Sequence, residues 1–248
     1  MEIKLVKEGY VYPSYSCGEF KIIKVLKREA LIKFINTGSE RVAALDSIRR
    51  GSVKDFYKPN VCGVGFIGGD VTSGRGKLRS YSVWRNIIQR CYNEKCVGYK
   101  FYGGSGVTVN ERWLNYQEFA KWYDEHYLEG FDLDKDLKVL GSKVYSQDTC
   151  SFIPKELNKL LTNHKAKRGD HPVGVTKLGN RFVAQLSNPF SKKRHLGCFE
   201  TATKAFSVYK DHKEFTVKKS AQDYYNRGEI CEAVYNNLMN WEAVPYPE

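Results

Sequence analysis

A chain of 248 residues with 40 Lys and Arg against 28 Asp and Glu carries a formal net charge of +12, a balance that attracts polyanions and raises the rate of encounter with them. No apolar run approaches the roughly 18–20 residues of a membrane span, and the opening MEIKLVKE lacks the apolar core of a signal peptide; the expectation is a cytoplasmic protein with no membrane partner, with a monomer favoured. Seven cysteines, odd in number and without repeated C-x-x-C spacing, argue against a disulfide frame and for reduced thiols.

The charge is unevenly spread. Residues 1–66 hold 12 basic and 7 acidic side chains, residues 67–163 hold 14 and 12, and residues 164–248 hold 14 and 9. A nearly neutral centre between two basic flanks suits a catalytic or structural core between modules that grip a polyanion. Composition alone equally allows a soluble basic enzyme.

Residues 1–66 read as β-rich. Residues 20–26 and 30–35 are runs of β-branched and aromatic residues around a charged turn at Lys27, Arg28 and Glu29, and a turn signal at residues 36–39 precedes a third run at 41–45. A small SH3-like barrel is expected. Residues 67–78 are glycine-rich. Residues 63–68 match G-x-G-x-x-G in letters, but no βαβ pattern follows, so this stretch reads as a linker rather than a phosphate cradle.

From residue 79 the spacing of Tyr81, Trp84, Ile87, Ile88 and Cys91 predicts a helix. Cys91 and Cys96 lack the second pair that a structural zinc site requires. A glycine turn at residues 102–106 leads into a short strand at 107–109. A further helix is expected from Trp113 to Tyr127, with Trp113, Tyr116, Phe119, Ala120 and Tyr123 on its core side.

From Asp132 the pattern is strand, loop at 138–143, strand, and a helix beginning near Pro154. Polar groups on the first strand and the helix would form a ββα cradle for one divalent cation. Oxygen ligands suit magnesium or manganese (Mg2+ or Mn2+), which would stabilise the leaving oxygen of a phosphodiester.

Several ordered marks lie between residues 84 and 163: Trp84, Arg90-Cys91, Tyr102-Gly103-Gly104-Ser105-Gly106-Val107-Thr108-Val109, Trp113, Leu133-Asp134-Lys135, Tyr145-Ser146-Gln147-Asp148-Thr149-Cys150 and Asn158. In this order the stretch resembles the HNH endonucleases carried by bacteriophages, many of homing type. The resemblance implies that Asp134 and Asn158 are the metal ligands. It puts Lys135 where such nucleases commonly have a general-base histidine, and Thr149 where an asparagine usually pins the loop. Lysine is a poor default base; Asp136, or water activated by the metal alone, would substitute. His126 and His164 bracket the motif, but neither is assigned the role.

Residues 165–219 carry 13 Lys and Arg against 4 Asp and Glu. Three short strands are followed by one amphipathic helix, a layout that lets a small sheet lie in a DNA groove while the helix braces it. Gly174-Val175, Phe182-Val183-Ala184, Leu196-Gly197-Cys198-Phe199, Thr201 and the helix with Ala202, Ala205 and Tyr209 resemble the AP2 DNA-binding domain. Alternation puts Phe182, Ala184 and Leu186 toward the helix and Arg181, Val183 and Gln185 outward. Leu196 turned inward puts Lys193 and His195 outward. With Lys177 and Arg194 these residues form the expected DNA-binding face, in which Arg and Gln read base edges and lysines supply backbone affinity. Residues 220–248 read as one more packing helix, ended near Pro245.

The expectation is thus an α+β chain: SH3-like β module (1–66), linker (67–78), HNH-like ββα-metal domain with flanking helices (79–164), AP2-like sheet and helix (165–219), helical tail (220–248). Its expected function is a site-directed endonuclease or nickase acting on double-stranded DNA, with Asp134, Lys135 and Asp136 at the catalytic centre. The competing expectation is a DNA-binding regulator with an inactive centre. An RNA-binding role is weaker, because a rigid sheet suits a B-form major groove better than an A-form one.

Overall fold

The computed structural model describes residues 5–69, 78–161, 171–190 and 194–246. The chain is mixed α+β with several small sheets and divides into two compact units, Met1–Glu125 and His126–Glu248. That division falls inside the stretch expected as one domain, 79–164.

The first unit opens with an antiparallel meander of β1 (Val11–Ser14), β2 (Gly18–Val25), β3 (Glu29–Phe34) and β4 (Glu40–Ala44), followed by α1 (Leu45–Arg49). Strict alternation in β2 and β3 puts Phe20, Ile22, Ile32 and Phe34 on one fully buried face, closed by Ile48 of α1. Phe20 and Phe34 are cross-strand partners with ring centroids 5.5 Å apart, edge to face, the favoured geometry for an aromatic pair. The sheet is open, with β1 and β4 at its edges. The expected barrel does not close, because four strands do not reach round to pair first with last. Nor is Ile67 part of a free linker: it is 2 % exposed, and its amide donates to the Phe56 carbonyl at 3.0 Å.

The predicted helix is α2 (Arg79–Tyr92), with Trp84, Ile87, Ile88 and Cys91 buried. After the glycine turn come β5 (Thr108–Val109), α3 (Glu111–Leu114) and α4 (Tyr116–His126). The single helix expected over 113–127 is therefore broken at Asn115. Phe66 inserts there: its amide donates to the Leu114 carbonyl and its carbonyl accepts from the Tyr116 amide, both at 2.9 Å. The Asn115 carboxamide accepts from the Gln117 amide at 3.0 Å and restarts the helix.

The second unit contains β6 (Phe131–Asp134) paired antiparallel with β8 (Ser151–Pro154), the two-residue β7 (Val144–Tyr145) between them in sequence, and α5 (Lys155–Leu161). A three-stranded antiparallel sheet follows, ordered β11 (His195–Phe199), β10 (Arg181–Gln185), β9 (Val175–Leu178), and then α6 (Ala202–Asn226) and α7 (Glu232–Met239). Thr201 caps α6 by accepting from the Lys204 amide at 3.2 Å. This helix runs unbroken through residue 219, where a boundary was expected, and α7 ends six residues before Pro245.

One hydrophobic cluster links most elements of the second unit. Ile153, Leu157 and Leu160 from β8 and α5 join Val175 and Ala184 from the sheet, Tyr209 and Val217 from α6, and Val234 and Leu238 from α7. The ββα element, the sheet and the tail, expected as three bodies, are thus packed as one. The close fit is visible at Gly174, with φ +76°, where a Cβ would lie 2.1 Å from the Tyr209 ring.

Candidate functional site

Asp134 is the last residue of β6 and lies opposite Ser151, the first residue of β8. The chain turns sharply after it because one carboxylate oxygen, Oδ1, accepts from the amides of Asp136 at 2.9 Å and Leu137 at 2.7 Å. This Asx-type turn is a common use of aspartate at a strand end. Burial raises the pKa of Asp134, offset in part by those two amides. A partly desolvated carboxylate with one oxygen fastened results.

Lys135 points the other way. It is 8 % exposed, and its Nζ donates to the Ser142 carbonyl at 2.9 Å and to the carboxylate of the exposed Asp136. The ammonium thereby ties the two ends of the 136–142 loop. Its polar end is committed to holding the loop by these two donations, so this geometry opposes the general-base role considered for Lys135. Asp136 is held in the same contact. Asn237 of α7 clamps the loop from outside, its carboxamide donating to the Leu137 carbonyl at 2.9 Å.

Thr149 pins the next turn. Its hydroxyl donates to the Val144 carbonyl at 2.6 Å and accepts from the Ser146 amide at 3.1 Å. Ser146 Oγ accepts in turn from the amides of Asp148 and Thr149, each at 3.2 Å. The hydroxyls of Thr149 and Ser146 therefore hold this turn between them. Cys150 is 1 % exposed, and burial pushes its thiol up to about 12, so it fills the core as a neutral side chain. Asn158 is half-buried on α5, which packs against both β6 and β8. His126 is the exposed last residue of α4; His164 lies outside the described residues.

On the three-stranded sheet the pairing register decides which side chains share a face, because directly opposed residues point the same way. Arg181 opposes Leu178, Val183 opposes Thr176 and Cys198, and Gln185 opposes His195. Arg181, Gln185 and His195 are all exposed, and Gln185, at the end of β10, also borders a cleft beside α6. Arg181 is steadied by donating to the Cys198 carbonyl at 3.3 Å. Two details differ. Lys177 opposes Phe182 and so lies on the helix side of the edge strand, replaced on the outward face by Leu178, which is 67 % exposed. The two-residue turn of Gly179 and Asn180 carries this signal, since it forces 178 against 181. Val183 is buried rather than outward-exposed, a short side chain on the central strand with neighbours on both flanks. Lys193 lies outside the described residues, whereas Arg194 is exposed just before β11.

Sequence reasoning missed Lys213. It is 3 % exposed on the core side of α6, and its Nζ donates to the Tyr209 hydroxyl at 2.9 Å. The signal was present: Ala205, Tyr209, Lys213, Val217 and Ala221 recur every four residues along the buried face of α6.

No family model, curated protein or solved structure matches this chain. Among the described residues no helix is long and apolar enough to cross a membrane, and no group of three or more His, Cys, Asp and Glu side chains is placed to hold a metal.

Proposed function

We propose that the chain binds double-stranded DNA through the outward face of β9–β11 and, with magnesium or manganese held at Asp134 and Asn158, hydrolyses a phosphodiester bond as an endonuclease or nickase. The observation that carries this reading is Asp134: a partly buried carboxylate at a strand end, one oxygen anchored by two amides, inside a β-loop-β-helix element. The donor set fits the cation, since one carboxylate and one carboxamide oxygen suit a hard ion that retains several waters. When bound, the ion would stabilise the leaving oxygen. Asp134 and Asn158 would hold it, Lys135 and Thr149 would keep the flanking turns in shape, and Arg181, Gln185 and His195 would face the groove.

A second reading is favoured by one observation. The engagement of Lys135 with Ser142 and Asp136 leaves the position of the usual base without a proton acceptor, which supports a DNA-binding regulator that does not cut.

Selection from randomised duplex DNA, followed by incubation of the selected target with Mg2+ or Mn2+ beside an Asp134→Ala control, tests both. The nuclease reading expects cuts at a fixed offset from the bound motif, lost in the control with binding retained. Specific binding without breaks in either metal would leave the regulator. Absence of duplex binding would remove both.

A further inference from the structure

The second unit contains a cleft of about 480 Å³ between α5, the β10–β11 end of the sheet and α6. Three cations line it, one from each element or its edge: Lys159 of α5, Arg194 just before β11, and Lys213 of α6. No carboxylate is among the described residues that line it. Neutral hydrogen-bonding groups complete the wall, among them Gln185, Asn188 and Tyr209. The position of Arg194 is fixed by its backbone, whose carbonyl accepts from the Leu186 amide at 2.9 Å.

Lys213 is the unusual member. Burying an ammonium is expensive without compensation. Here the Tyr209 hydroxyl oxygen accepts a hydrogen bond from Nζ, and the rings of Tyr209 and Trp241 lie 5.4 and 5.5 Å from it. Desolvation pushes Lys213 down to about 8, so a negative group beside it in the cleft would favour its charged form. The volume lies within the range of small-ligand sites, roughly 300–1,000 Å³, and exceeds what a bare oxyanion fills.

From this geometry we infer that the cleft is a phosphate-binding site, taking a phosphate mono- or diester with its attached sugar, held by Lys159, Arg194 and Lys213. The group can belong to a free nucleotide or to a DNA strand. The site is separate from the cation cradle at Asp134 and does not require cleavage; only its DNA arm rests on the reading proposed above.

The test is ligand titration of the full chain, followed by calorimetry and thermal melting, with inorganic phosphate, a deoxynucleoside 5′-monophosphate and a short duplex, each against sodium chloride of equal ionic strength. Wild type should gain melting temperature with phosphate beyond the chloride control. Lys213→Met, which removes a buried charge and keeps the stem, should melt no lower in chloride and lose about tenfold or more in phosphate affinity, as for a charge-assisted contact. Arg194→Ala, at an exposed position, should weaken phosphate binding without a change in fold. Tighter binding of the monophosphate than of inorganic phosphate, with duplex binding unchanged in Lys213→Met, assigns the cleft to a free nucleotide. Weakened duplex binding in Lys213→Met assigns it to the strand. If wild type shows no phosphate effect beyond chloride, or both variants respond as wild type does, the inference is overturned. Failure of wild type to bind duplex while phosphate still binds removes the DNA reading and leaves the cleft standing.

Discussion

Lys135 and Ser142 hold the loop after β6 in shape: the buried ammonium of one donates to the backbone carbonyl of the other at 2.9 Å. A side chain at the position of a presumed base is therefore a structural strut, and this decides what its removal should do. Lys135→Met leaves the Ser142 carbonyl without its partner, and a lost charge-assisted hydrogen bond of this kind costs roughly 1–3 kcal/mol. The urea midpoint should fall with an unchanged slope. A variant of full stability that has lost only DNA cleavage would instead make Lys135 a chemical participant.

Asp134→Asn should separate stability from function. The carboxamide oxygen can still accept from the Asp136 and Leu137 amides, while the charge that burial disfavours is gone. Because burial raises the folded-state pKa above the unfolded value, the ionised carboxylate weakens the fold at every pH above the folded value. The penalty disappears below the unfolded value, where the group is protonated in both states. In EDTA the variant should melt above wild type at about pH 7 and level with it below about pH 3. Added Mg2+ should raise the melting temperature of wild type alone. Equal melting of the two proteins at neutral pH would mean that the amides fully offset burial.

Lys213 gives a pH dependence of defined sign. Its pKa is lowered from 10.5 to about 8 by desolvation. Between these values the unfolded chain binds the proton and the folded chain does not, so stability rises with pH through that window. Below about 8 the charged form weakens the fold by an amount on the order of 3 kcal/mol. The difference in unfolding free energy between Lys213→Met and wild type should accordingly shrink from pH 7 to pH 10. A constant difference would show that the folded and unfolded values coincide.

The sheet register sets an order among the basic residues. Arg181→Ala should relax base preference, with a loss of about 1–3 kcal/mol of discrimination at one position. Lys177→Ala, on the Phe182 side of the edge strand, should change affinity by less than about threefold and leave the salt slope nearly intact. Binding selections on both variants, repeated at two salt concentrations, check this. A larger loss for Lys177 would place the DNA on the opposite side of β9.

Local patterns were legible where a single period governs burial. The alternation from Phe20 to Ile22 and from Ile32 to Phe34, the 3.6-residue stripe through Trp84, Ile87 and Ile88, and the strand order before Thr201 all follow from such rules. What escaped depends on contacts distant in sequence. Phe66 splits a helix at Asn115, and Asn237 clamps a loop 100 residues before it; neither leaves a mark on its own neighbourhood. The role of Lys135 was also hidden, because its acceptor is a backbone carbonyl that any residue at position 142 supplies. Lys177 was misplaced for a different reason: counting along one strand ignores the turn that fixes its partner.

The core that runs from Ile153 through Ala184 and Tyr209 to Leu238 joins the two halves of the second unit through one shared set of buried side chains. The two halves are expected to unfold with denaturant in a single transition. For the same reason neither half can be transplanted as a cassette, since cutting between them exposes a greasy seam. On the proposed function, the offset between a recognised base and a broken bond would be set by this packing, like the fixed jaws of a gauge, and not by the reach of a tether.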